Sequence, residues 1–135
     1  MTAGIEIRPA FPVDDAALSA LHDRAFGSPG PVLPWRERLH RHSIARVGAF
    51  EDDRLVGFVH AVGDGGLHAF LLDTVVDPAV QRRGVGAALV GRLVDEVRAT
   101  GCEWLHADFE PHLAAFYEDA CGFRPTRAGL LHLAP

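Results

Sequence analysis

One stretch limits the folds open to this chain more than any other. An apolar run ends in Val75-Val76, a loop Asp77-Pro78-Ala79-Val80-Gln81-Arg82-Arg83 follows, and then comes Gly84-Val85-Gly86-Ala87-Ala88-Leu89. A strand, a loop and a helix that opens on closely spaced glycines form a unit of layered α/β architecture. Beyond the glycines, Val85, Leu89, Leu93 and Val97 recur every four residues with Val90 and Val94 beside them. Arg92, Asp95, Glu96 and Arg98 take the opposite side, so the spacing predicts an amphipathic helix that closes at Gly101. Gly84 and Gly86 leave the backbone bare where the first N–H groups of that helix lack intrahelical partners. Those amides converge with the positive end of the helix dipole, and Arg82 and Arg83 add charge. A phosphate or pyrophosphate is the guest such a turn suits.

The rest of the chain supplies the other layers. Residues 5–8 alternate apolar and charged side chains and predict a short strand, ended by Pro9 and Pro12. Asp14 or Asp15 caps a helix to about Phe26, and Pro34 opens a second helix over 35–42. Strands are predicted over 46–51 and 55–62 around the Asp52-Asp53 turn, and over 67–76 after Gly63-Asp64-Gly65-Gly66. Pairing Val62 with Leu67 across that second turn would set His60 and His68 on opposite sides of the sheet. A strand over 104–109, a helix over 110–120 stopped by Gly122, and a last strand over 126–133 complete the order. The order β-α-α-β-β-β-α-β-α-β predicts an α/β (α+β layered) fold, and a chain of 135 residues is read as one domain over 1–135.

Several chemistries are excluded at once. All thirteen basic residues are arginine, so no Schiff-base, Walker-A or kinase-type lysine exists. A net charge of −5 argues against a nucleic-acid partner. No apolar run reaches the length of a membrane span, and Glu6, Arg8 and Asp14 interrupt the place of a signal peptide. Cys102 and Cys121 form no C-x-x-C pair and are read as buried thiols of a cytoplasmic protein. The histidines show no ligand spacing, so no metal is expected.

Three readings of the glycine turn compete. The glycines alone would allow close helix–strand packing. A dinucleotide-binding redox domain would use Gly84-x-Gly86, with Asp108 near the place of a ribose-binding acid, but Leu89 stands at the third glycine position and the loop is long. An acyl-CoA site is the third.

Here the chain resembles a known superfamily. Gln81-Arg82-Arg83-Gly84-Val85-Gly86-Ala87 is similar to the Q/R-x-x-G-x-G/A pyrophosphate loop of the GNAT acetyltransferases. Phe116-Tyr117-Glu118-Asp119-Ala120-Cys121-Gly122-Phe123 is similar to their second signature, F/L-Y-E followed by Gly-Phe. The resemblance implies a mixed, mostly antiparallel central sheet flanked by helices, with the fourth and fifth strands splayed around acetyl-CoA. It implies that the backbone of Thr74, Val75 and Val76 pairs with the pantetheine arm. The amides from Arg82 through Ala87, over Gln81, Arg82, Arg83, Gly84, Val85, Gly86 and Ala87, would hold the pyrophosphate. Tyr117 falls where the family places its tyrosine general acid, and a phenol is protonated at neutral pH. The family's proton acceptor on the fourth strand falls at Phe70 or Leu72, neither of which accepts a proton. Asp73 is the nearest carboxylate, and strand alternation points it away from the face of Phe70 and Leu72. His68, Asp108, Glu110 or a water chain are the other candidates, and Glu110 stands where many members carry an asparagine. The acceptor would enter beside the first two helices and the loop 26–35, with Phe70, Leu72 and Trp35 as an apolar lining, although Trp35 reads more readily as simple packing under that loop.

The sequence therefore reads as an acetyl-CoA-dependent N-acetyltransferase acting on a small-molecule or peptide amine. The competing classes are a non-catalytic acyl-CoA-binding module and a dinucleotide-binding redox domain. Family members often dimerise, so a homodimer is also an expectation.

Overall fold

Alternating apolar residues build the sheet, and its two apolar faces recruit the helices. The structure, a computed structural model, describes residues 4–135. Its strands are β1 (Glu6–Pro9), β2 (Ser43–Glu51), β3 (Arg54–Gly63), β4 (His68–Val76) and β5 (Trp104–His106). They lie in the order β1-β2-β3-β4-β5, antiparallel except for the parallel pair β4 and β5. Central β3 is buried from Leu55 to Ala61, as a strand covered on both faces must be.

Helices α1 (Asp15–Phe26) and α2 (Trp35–His42) cover one face. The Asp14 carboxylate caps α1 by accepting from the Ala17 amide at 2.9 Å, and Gly27 in a left-handed conformation ends it. Leu18, Leu21, Trp35 and Leu39 pack there on Phe11, Phe58 and Val75. Helix α3 (Val85–Ala99) covers the other face, where Val85, Leu89, Val90, Leu93 and Val97 meet Val47, Ala49, Val59, Ala61, Ala69 and Leu71. The predicted apolar stripe of α3 is thus the buried one.

The splay expected between the fourth and fifth strands is present. β4 pairs with β5 only where His68, Ala69 and Phe70 face Trp104, Leu105 and His106. β4 then runs on to Val76 with no strand on that edge among the described residues.

Several expectations are corrected. The strand over 104–109 stops at His106, because the ladder ends where β4 and the chain beyond β5 diverge. In place of a helix over 110–120 there is a 3-10 turn at Pro111–Leu113 and a π-helical segment at Ala115–Ala120. The Cys121 amide reaches back to the Phe116 carbonyl at 3.0 Å, which is the wide π bond. The strand over 126–133 does not form, and Leu130, Leu131 and Leu133 are exposed. That segment has no period-two alternation and no β-branched residue after Thr126, so little favours an extended pairing. Cys102 and Cys121 are free but only partly buried.

The β3–β4 turn is wider than expected. Val62 faces Phe70, not Leu67. The Gly66 amide closes on the Asp64 carboxylate at 2.7 Å, and the Leu67 carbonyl accepts from Glu103 and Trp104 on the β5 side. Leu67 therefore belongs to the loop. The new register sets His60 opposite Leu72, which puts His60 and His68 on the same face of the sheet.

Candidate active site

The notch between β4 and β5 is where the chain's unusual backbone collects. Phe58 faces Val75 but His60 faces Leu72, so Asp73 and Thr74 together oppose the single residue Val59. This is a β-bulge, and Asp73 takes the left-handed conformation (φ 59°) that an aspartate tolerates better than most residues. The bulge corrects the alternation argument, because Asp73 turns onto the face of Leu72 and Phe70. Its carboxylate accepts a hydrogen bond from His60 Nε2 at 2.7 Å.

Beyond the bulge the strand presents its free edge to the notch. The Asp77 amide donates to the Val56 carbonyl at 2.8 Å. Because polar groups alternate along a strand, those of Val75 face β3 and those of Val76 face the unpaired edge. Gln81 Nε2 donates to the Val76 carbonyl there at 3.3 Å.

Tyr117 closes the notch from the opposite side. Its ring is buried, stacked on Phe109 with centroids 4.6 Å apart and edge-on to Phe116 and Phe123. Its hydroxyl donates to Thr74 Oγ1 at 3.2 Å, spanning from the π-helical segment to β4. Burial pushes the phenol above its usual value of 10, so the hydroxyl keeps its proton at neutral pH.

The glycine turn lies at the end of the same strand. Asp77 is buried and holds the loop by accepting from the Ala79 amide at 2.9 Å and pairing with Arg24 at 2.7 Å and Arg54 at 3.3 Å. Burial raises its carboxyl, but the amide hydrogen bond and the two guanidinium groups outweigh that and hold it below the usual carboxylate range. Arg82 (φ 64°) and Gly84 (φ 76°) both adopt left-handed conformations, the backbone habit of turns that gather successive amides around an anion. The first bond of α3 runs from Ala88 N–H to the Gly84 carbonyl at 3.1 Å, so the amides of Val85, Gly86 and Ala87 precede the helical ladder. Gly86 also serves packing: a Cβ there would lie 3.0 Å from Phe116 Cε1. The Arg82 side chain is exposed, while Arg83 pairs with Glu51 at 3.3 Å.

The other candidates are dispersed. His68 Nδ1 and His106 Nε2 are 2.8 Å apart on the exposed sheet face, and Phe70 stacks on His106 with centroids 4.5 Å apart. Asp108 and Glu110 are exposed past the end of β5. Of the two readings of Trp35, packing holds and lining does not: it is core, stacked on His22 at 4.6 Å and edge-on to Phe58 at 5.9 Å. Among the described residues, no three His, Cys, Asp or Glu side chains cluster as a metal site would, and no helix is long and apolar enough to cross a membrane. Sequence reasoning missed His60 and the Asp77 clamp. The Asp-Pro step at a strand end was the available signal for Asp77, while His60 depended on the register.

Known proteins share this fold. A solved acetyltransferase of Trypanosoma brucei superposes with a TM-score of 0.78 at 23% identity, covering 95% of this chain and 98% of that one. An aminoglycoside N-acetyltransferase solved in complex with CoA superposes with a TM-score of 0.74 at 19% identity, covering 96% and 94%. In sequence, "GCN5-related N-acetyltransferase 1, chloroplastic" of Arabidopsis thaliana is 38% identical over 78 residues, 58% of this chain. That match spans 40% of the relative's own length. The family model described as "Acetyltransferase (GNAT) family" matches residues 15–123, which take in the bulge, the glycine turn and Tyr117. The family model thus spans the splayed strands, the start of α3 and Tyr117, and this chain belongs to the GNAT acetyltransferase family.

Proposed function

We propose that this chain transfers an acetyl group from acetyl-CoA to a primary amine by direct attack in a ternary complex, and that residues 1–135 act as one catalytic domain. The observation that carries this reading is the Tyr117 hydroxyl set across the notch against Thr74, beside the unpaired edge of β4 and the bare amides of α3. The residues present suit CoA: the amides at the start of α3 for a pyrophosphate, and the Val76 groups on the unpaired strand edge, where Gln81 Nε2 now donates to the carbonyl, for an amide-bearing arm. The relative solved with CoA supports the same choice. When bound, acetyl-CoA supplies the thioester whose acyl carbon the amine attacks.

The remaining roles belong to the chain. The strand edge at Thr74–Val76 orients the thioester carbonyl, and α1 and α2 flank the side from which the amine arrives. Tyr117 gives its proton to the departing thiolate, a transfer that its raised pKa keeps available. Asp73 stands on the amine side and takes the proton from the attacking nitrogen onward to water, since its carboxylate is partly exposed.

Initial rates of thiol release from acetyl-CoA, measured over a panel of amines, test this reading. Acetyl transfer predicts one N-acetyl product per thiol and intersecting double-reciprocal lines. With no lysine in the chain, acetylation of its own lysines adds no background. CoA binding with no thiol release above buffer for any amine would leave the non-catalytic module, which the apolar side chains at Phe70 and Leu72 favour.

A further inference from the structure

The bulge does more than interrupt a ladder. It brings a carboxylate onto a face that is otherwise apolar and aromatic. Phe70 is 45% exposed and Leu72 is 40% exposed along β4, and His106 extends Phe70 as a stacked pair. Asp73 follows directly, with its side chain 41% exposed.

His60 is the reason to regard that carboxylate as placed for use. It is only 4% exposed, lies against Phe58 in the aromatic cluster below α1 and α2, and spends its Nε2 on Asp73. Its Nδ1 is buried without a hydrogen-bond partner among the described residues. An apolar ring would fill the same space at no such cost. The polar atom that His60 brings is used on Asp73, and this fixes the carboxylate's rotamer. The hydrogen bond from His60 is also the largest cause that holds Asp73 below the usual carboxylate range, against the raising effect of burial. His22 on α1 and Arg38 on α2 reinforce it at longer range, and the Arg38 guanidinium itself lies over the Trp35 ring at 4.9 Å.

We infer that the acceptor is a primary ammonium carrying an aromatic or branched apolar body. Its nitrogen docks on Asp73, and its body lies along Leu72 and the Phe70–His106 stack. His60 is the positioning residue for Asp73. The inference rests on the proposed acetyl transfer and names its substrate class. An ionised carboxylate at one end and an apolar wall at the other match such a molecule in charge and surface. A polyhydroxylated amine would leave the wall without a partner.

The test compares 2-phenylethylamine, ethylamine and glucosamine as acceptors, with calorimetric titration of 2-phenylethylamine into the CoA-saturated protein. The expected result is a kcat/KM for 2-phenylethylamine about 30-fold above that for ethylamine, from burial of the ring. Asp73→Asn is expected to raise the KM for this amine about 30-fold while the KM for acetyl-CoA stays in place. His60→Phe is expected to shift the same amine KM, and less strongly. Phe70→Ser, at an exposed position that spares folding, narrows the ratio between the two amines. Equal rates with 2-phenylethylamine and ethylamine, a preference for glucosamine, or an unchanged amine KM in Asp73→Asn would overturn the inference. The titration separates it from the reading beneath it. Binding that Asp73→Asn abolishes, with no thiol release from any amine, would retain the docking site and reject acetyl transfer. No binding would reject the docking site.

Discussion

Replacing Tyr117 by Phe removes one oxygen and little else. The ring stays buried, stacked on Phe109 and edge-on to Phe116 and Phe123, so the packing of the notch is kept. What is lost is the hydrogen bond from the hydroxyl to Thr74 Oγ1 at 3.2 Å. Thr74 is only partly buried, so water replaces that partner and the cost in stability is about 1 kcal/mol. For a domain of this size the unfolding midpoint falls by roughly 3–5 °C. The catalytic cost is larger. Without the phenol the thiolate departs unprotonated by the enzyme, and turnover falls about 10²- to 10⁴-fold. CoA affinity stays within about threefold, because the amides of the glycine turn are untouched. The assay is initial-rate thiol release at saturating acetyl-CoA, paired with calorimetric titration of CoA into each protein. Turnover within threefold of the parent would refute the assignment of Tyr117 as the acid. Loss of CoA binding in step with turnover would show that the hydroxyl serves architecture.

Four other outcomes follow from the same geometry. Asp77→Ala strips the Ala79 amide, Arg24 and Arg54 of their common acceptor, and urea unfolding should show a loss of about 2 kcal/mol. Gly57→Val would set a branched side chain where even a Cβ lies 2.8 Å from Leu89 Cδ1 and 3.1 Å from Ala49 Cβ, and the same measurement should show a loss of about 1–3 kcal/mol. Asp73 and Asp77 both have carboxyls held below the usual range, so their stabilisation is present above pH about 4 and fades as pH falls below it. The unfolding midpoint should drop below that pH, and an Asp73→Asn/Asp77→Asn double variant should show a shallower drop. At the alkaline end, burial raises the Tyr117 phenol, so its contribution is intact below pH about 10 and is lost above it; Tyr117→Phe should flatten that limb.

The parts of this fold that were legible in the sequence are those set by local rules. The α3 stripe is visible because 3.6-residue periodicity over fifteen residues has no competing reading. Asp14 and Gly27 mark the ends of α1 through capping chemistry that acts within one turn. The glycine turn is legible because left-handed backbone and bare amides both call for Gly84. What escaped depends on register or on distant neighbours. The face of Asp73 follows from a bulge, and a single inserted residue inverts every alternation argument beyond it. The partnership of His60 with Asp73 needs the true pairing of β3 with β4, which the Asp64 turn shifts by three residues relative to a tight hairpin. Whether Trp35 packs or lines the site is decided by His22 and by Phe58 from another element, contacts that local patterning does not reveal. The missing strand over 126–133 shows the converse: apolar residues alone predict burial only where a partner surface exists.

The central claim is that the notch and the bare start of α3 bind acyl-CoA. The most direct test is the thermal unfolding midpoint of the protein alone and with acetyl-CoA, CoA, NADH or ATP. At about 100 times its dissociation constant, a ligand stabilises the native state by roughly 2.7 kcal/mol. That corresponds to a rise of about 8–13 °C for a domain of this size. The account predicts such a rise with acetyl-CoA and with CoA, and none of that size with NADH or ATP. A midpoint that stays unmoved by both CoA species, or that rises with NADH alone, would contradict it.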